Sequence, residues 1–162
     1  MDFVLYEEEL RSLEGVLLRL RQDANAKAVF LIDKNGQQLA AAGEIEQFDS
    51  TSLASLTAGN VAATDSLARL IGEREFSVLF HEGERDHIHI SIVAERAILL
   101  VIFDHRSSLG LVRLRVKRAS IEFERIFETM AAKADASTNT RQNTSTPFSE
   151  ITDDDIDALF SD

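Results

Sequence analysis

The segment TSLASLTAGNVAATDSLARLIG, Thr51–Gly72, decides the fold. It has no proline and reads as one helix of about 30 Å at 1.5 Å rise per residue. Leu53, Leu56, Ala63, Leu67 and Leu70 recur at three-and-four spacing, an apolar stripe expected to face a core. Ser52, Ser55, Gly59, Ala62 and Ser66 form a second stripe with almost no side-chain volume. No charged residue occurs before Asp65, although an exposed helix face normally carries Lys, Glu or Arg. A smooth face lets another backbone approach closely, so these five positions are expected to form a docking floor. The alternative is that their smallness lets the helix lie flat on its own sheet.

The flanking segments supply that sheet. Ala28–Ile32 (AVFLI) is apolar throughout and too short for a helix, which reads as a strand buried on both faces. Asp33-Lys34-Asn35-Gly36 supplies a hairpin turn, and Gln38–Gly43 a weaker strand. Phe76–Phe80 and His87–Ile92 alternate, each with one core face and one wetter face, and Ala97–Phe103 (AILLVIF) is again apolar throughout. Connections this short make neighbours antiparallel. The two doubly apolar strands belong in the middle with their hairpin partners outside, giving the order 2-1-5-4-3 and making Thr51–Gly72 a crossover between edge strands. A helix over Tyr6–Asn25 precedes the sheet and one over Ser108–Lys133 follows it, the latter with Leu109, Val112, Val116, Ala119, Phe123, Ile126 and Met130 on one stripe. The expected fold is α/β (α+β), in the order α-β-β-α-β-β-β-α. The edge residues Phe76, Ser77, Val78, Leu79 and Phe80 include neither Pro nor Lys to block pairing with another chain, which points to self-association.

The chain has 162 residues, 44% of them hydrophobic, enough for one domain with a real core. Its net charge of −11 argues against nucleic acid or an anionic membrane as partner. Six of those charges fall after Pro147. There is no cysteine, the N-terminus is acidic where a signal peptide is basic, and no apolar run approaches membrane-spanning length. A soluble protein of a reducing compartment, with no membrane insertion, is expected. No P-loop, nucleotide-binding glycine pattern, nucleophile elbow or zinc signature is present, so no cofactor, metal or active site of its own is expected. His81, His87 and His89 come nearest to a ligand set, but they read as ordinary residues of a polar strand face and lack carboxylates at ligand spacing. Arg113, Arg115, Lys117 and Arg118 read as a solvated helix face.

After a domain over residues 1–133, residues 134–147 have little to bury and are expected to form a disordered linker. Residues 148–162 differ. Thr152 and Asp155 fit a capping box, and Ile151 and Ile156 a hydrophobic staple. Ile156, Leu159 and Phe160 then share one face, so this acidic segment is expected to fold onto a partner. The alternative is a solubilising tail.

Element order and the motifs YEEEL (6–10), DANAKAVFLIDKNGQ (23–37), SLASLTAGNVAA (52–63), LARLIGE (67–73), SLGLVRLRVKRAS (108–120) and EITDDDIDALF (150–160) carry a resemblance to a known family. The chain resembles the roadblock/dynein-light-chain family, and within it the bacterial branch that partners a Ras-like small GTPase, MglA. The resemblance implies a homodimer in which sheets join edge to edge and crossover helices lie together. It further implies that this helix face receives one MglA-like GTPase in its GTP state and accelerates hydrolysis, controlling cell polarity and motility from the cytoplasm at a cell pole. Thr64 and Asp65 stand where that branch has small residues, with Ser66 in the stripe, so polar Asp65 lies close to the docking face. Arg69 and Arg74 are the nearest arginines to the docking floor, but no extended loop carries them, so ordering of the GTPase's own switch residues is the expected mechanism. A non-catalytic dimeric adaptor or scaffold is the alternative.

Overall fold

Antiparallel pairing joins five strands in the order β2-β1-β5-β4-β3. This is seen in a computed structural model of the chain, which describes residues 6–143, with side-chain environments through Ala136. The elements are α1 (Glu7–Asp23), β1 (Ala28–Asp33), β2 (Gln38–Gly43), α2 (Ser50–Leu70), β3 (Val78–Glu82), β4 (His87–Val93), β5 (Ala97–Phe103) and α3 (Leu109–Asn143). A short 3-10 turn at Ile45–Gln47 precedes α2. Residues up to Phe127 form one compact unit and those from Glu128 a second.

β1 and β5 are buried along their whole lengths, as their apolar runs at residues 28–32 and 97–103 require. They pair from Ala28↔Ile102 to Asp33↔Ala97, so their side chains divide between two cores. Phe30, Ile32, Ile98, Leu100 and Ile102 join Ile90 of β4 under α2. Val29, Leu31, Leu99 and Val101 fill the opposite face, where α1 brings Leu13, Leu17 and Leu20 and α3 brings Val112, Val116, Ala119 and Phe123, all buried. Arg19 of α1 donates to Glu122 of α3 across the exposed seam between the two helices.

Local chemistry fixes the turns. The Asp33 carboxylate accepts from the backbone N–H groups of Asn35 and Gln37, both at 2.9 Å, and Gly36 adopts φ +92°. Asp49 caps α2 by accepting from Ser52 N–H at 3.2 Å and Ser52 Oγ at 2.7 Å, bonds that hold its pKa below the usual value. Gly72, at φ +81°, follows the last turn of α2.

Three expectations change. β3 begins at Val78, so Phe76 and Ser77 precede the strand, although the Ser77 carbonyl still accepts from Ile92 N–H at 3.0 Å. The face of β4 expected to be wet is closed: His89, Ser91 and Val93 are buried because helices cover both sides of the sheet there. α3 continues past Lys133 to Asn143, through most of the stretch expected to be a linker. Once a helix is nucleated, each further residue adds a hydrogen bond at little cost, and the alanines of this stretch are the best helix formers. Ile156, Leu159 and Phe160 lie outside the described residues.

Candidate functional site: the outward face of the crossover helix

α2 meets the sheet through its small side chains. Ala54, Thr57, Ala58, Val61, Thr64 and Ala68 are its buried residues. The leucines expected in the core point away: Leu56, Leu67 and Leu70 are 74%, 59% and 82% exposed, and Ala63 is exposed with them. Leu53 alone of that stripe packs, half-buried, against the core. The cause is close approach. A Cβ built on Gly36 would lie 3.2 Å from Ser55 Cα and 3.5 Å from Ala58 Cβ, which leaves no room for a larger side chain at that point of the helix. Thr57 and Thr64 suit that side because their hydroxyls donate to the carbonyls of Leu53 and Asn60, at 2.7 and 2.8 Å, leaving methyl groups to pack.

Ser52, Ser55, Gly59, Ala62 and Ser66 are all exposed, on the flank of α2 that passes the β1–β2 turn. Nothing on this flank projects far. Ser66 Oγ donates to the Ala62 carbonyl at 3.3 Å, and the Arg69 guanidinium reaches back to Ser66 Oγ at 3.5 Å. Asp65 is half-buried and lies one turn from Ala62, at the sheet-side margin of this flank. The opposite flank is tied to the edge strand by Asn60, whose amide meets His81 Nε2 at 3.1 Å. Between the flanks, the exposed leucines form a crest.

The edge strand continues the exposed apolar surface. Phe76, Val78 and Phe80 are exposed, with Val78 and Phe80 on the sheet face opposite α2, whereas Leu79 packs under α2. Phe80 stacks on Phe103 with ring centroids 6.2 Å apart, and His87 sits 5.2 Å from Phe103.

The histidines are not brought together. His81 faces α2, while the register pairs His89 with Phe80 on the other side of the sheet. His89 is 1% exposed and neither ring nitrogen has a hydrogen-bond partner. Burial, with the positive charge of Arg113 nearby, pushes its pKa down. Among the described residues no three metal-ligating side chains converge, and no helix is long and apolar enough to cross a membrane. Two open clefts are lined by charges of both signs, one by Glu7, Glu8, Arg11 and Ser12, the other by Lys27, Glu84, Arg85, Asp86, His87, Asp104 and His105. Arg106 grips Asp104 there and lowers its pKa to about 2.

What sequence reasoning missed is the leucine crest and the Asn60–His81 tie. Helical spacing offers two apolar faces in α2, and weighting by hydrophobicity selects the larger residues. The usable signal is Thr57 and Thr64, one turn from buried alanines, where no exposed face needs a β-branched hydroxyl.

Residues 13–103 match the Roadblock/LC7 domain model. Myxococcus xanthus MglB is 58% identical with a TM-score of 0.75, the match covering 78% of this chain and 96% of that one. Gliding protein MglB from Thermus thermophilus is 36% identical with a TM-score of 0.74, covering 79% and 97%. A Roadblock/LC7 domain from Streptomyces avermitilis, 12% identical with a TM-score of 0.64 over 71% of this chain and 97% of that one, shares the fold. No curated protein matches the sequence. Fold, domain match and identity together place this chain in the Roadblock/LC7 family, as an MglB-like member.

Proposed function

We propose that the chain acts as a homodimer that binds a GTP-loaded, MglA-like Ras-type GTPase and stimulates its GTP hydrolysis, without an active site of its own. The observation that carries this reading is the exposed face of α2, which has an apolar crest, a flank of small residues, and no charged side chain from Ser50 to Thr64. Such a contiguous apolar surface marks an interaction site. The similarity to MglB chains supports the choice of partner.

Two contacts divide the surface. The β3 edges of two copies pair, and the leucine crests meet beside them. The flank of Ser52, Ser55, Gly59, Ala62 and Ser66 receives the GTPase. Hydrolysis speeds up when the attacking water is positioned and charge on the transferring phosphoryl group is stabilised, to which an inserted arginine can contribute roughly 10³–10⁵. Arg69 lies back along α2, and Arg74 sits in the short bend before β3, so neither is carried on a projecting loop. The protein therefore holds the GTPase switch segments in their hydrolysing arrangement and uses residues of the GTPase for the chemistry. The role in the cell is control of polarity and motility, in the cytoplasm and concentrated at a pole, with residues 148–162 tuning engagement of a partner.

Phosphate release from a GTP-loaded partner tests the reading. It rises when this protein is added, Ala62→Arg or Ser66→Arg abolishes the rise while the circular dichroism spectrum is kept, and Arg69→Ala and Arg74→Ala retain it. Binding without any change in turnover identifies an adaptor instead. Loss of stimulation but not binding in either arginine variant refutes the mechanism.

A further inference from the structure

We infer that the sheet face left open between α3 and the edge strand β3 docks the acidic C-terminal segment, residues 150–162, of a second copy of the chain. The inference rests on the dimer reading above and goes beyond it by placing that segment.

The floor of this surface is apolar and uncovered. In one row of the sheet, Val101 and His89 are buried under α3, while Phe80, the next residue outward, is 36% exposed and Val78 beside it 45%. The α3 cover therefore ends between β4 and β3. Phe80 is held flat by its stacking on Phe103, so the floor is preformed.

The rim is cationic. Arg113 and Lys117 lie one turn apart on α3, each exposed beside a valine buried against the sheet, Val112 and Val116, so they share a margin of its packed side, and the charge of Arg113 reaches His89 of β4. Both are exposed, and neither is in an ion pair among the described residues. Residues 105–121 hold Arg106, Arg113, Arg115, Lys117 and Arg118 with no Asp or Glu, in a chain of net charge −11. The crest of α2 has no comparable rim; its nearest cation is Arg69.

An apolar floor with a cationic rim fits a ligand whose apolar side chains are flanked by carboxylates. The chain's own sequence contains one: Ile156, Leu159 and Phe160 at three-and-four spacing, with Asp153, Asp154, Asp155 and Asp157 around them. Because β3 is a sheet edge, pairing with a second β3 extends the floor onto that copy, and a segment lying across it contacts both.

Carbodiimide cross-linking of the full chain tests this. Unlabelled and ¹⁵N-labelled chains are refolded together, native mass spectrometry verifies mixed dimers, and linked peptides are read by mass. The expected product joins Lys117 to a carboxylate of residues 150–162 with hybrid isotopic composition. Phe160→Asp and Arg113→Glu each reduce it at least tenfold, while sedimentation still shows dimers. Links of uniform isotopic mass only, no such link, or a link indifferent to Phe160→Asp overturns the inference with the dimer reading intact. A parent chain that sediments as a monomer overturns the dimer reading itself.

Discussion

Leu67→Ala separates an interface residue from a core residue more cleanly than any other change in α2. Leu67 is 59% exposed in the single chain, and alanine keeps the helix at its best propensity. The truncation removes about three carbon groups, worth about 0.8 kcal/mol each on full burial. Scaled by the fraction that a partner can newly cover, the loss is about 1.4 kcal/mol per protomer. A two-fold contact loses it twice, about 3 kcal/mol, which weakens the dimer about 100-fold. Sedimentation velocity over a dilution series measures that shift. Denaturant unfolding at concentrations where both proteins are monomeric should differ by less than about 0.5 kcal/mol, as for an exposed site. A dimer constant unchanged within about threefold, or a monomer destabilised by the amount expected for a buried leucine, about 2–5 kcal/mol, refutes the crest as an interface.

The remaining predictions concern the layers beneath that surface. Ala58→Leu overpacks the side of α2 that touches the sheet and should cost about 1–3 kcal/mol in a urea titration; a neutral result means that the helix is free to lift away. Gly36→Ala places a Cβ at φ +92° against Ser55, and the left-handed strain alone is about 1–2 kcal/mol, visible as a lower unfolding midpoint; no shift refutes the tight approach. His89 has a folded pKa below its ordinary 6.5, so its unfolded form binds the proton first as pH falls. Its stability contribution is complete above about pH 6.5 and is lost as the pH drops toward the folded pKa. His89→Leu should flatten the urea midpoint between pH 7.5 and 5, and an unchanged slope assigns the acid sensitivity elsewhere.

Much of the fold was legible because the sheet obeys local rules. AVFLI and AILLVIF are short apolar runs bounded by turn residues, the pattern of central strands, Asn35-Gly36 suits a tight turn, and the order β2-β1-β5-β4-β3 follows from burying both faces of those two runs. The exposure of Ser55, Gly59, Ala62 and Ser66 was legible too, since their small size and missing charge mark one face of α2. The inner face was not. Two apolar stripes compete in α2, and the cue that separates them, Thr57 and Thr64 beside Ala54, Ala58 and Ala68, is outweighed by the greater hydrophobicity of the leucines. The burial of His89 was hidden for another reason: alternation in β4 shows that two faces differ, but a helix that begins at Leu109 decides whether the second face is wet. The helical extension to Asn143 escaped because polar composition was weighed above the low cost of prolonging an existing helix.

The alanine contact beneath α2 has a consequence for how this surface can change over generations. Three of the six buried residues of α2, Ala54, Ala58 and Ala68, have no rotamers to rearrange, so little of the contact depends on side-chain interlocking. Replacements on the opposite side then transmit little to the strands below. The exposed crest and flank can be rewritten residue by residue while the inheritance of a foldable chain stays secure in the buried residues beneath them.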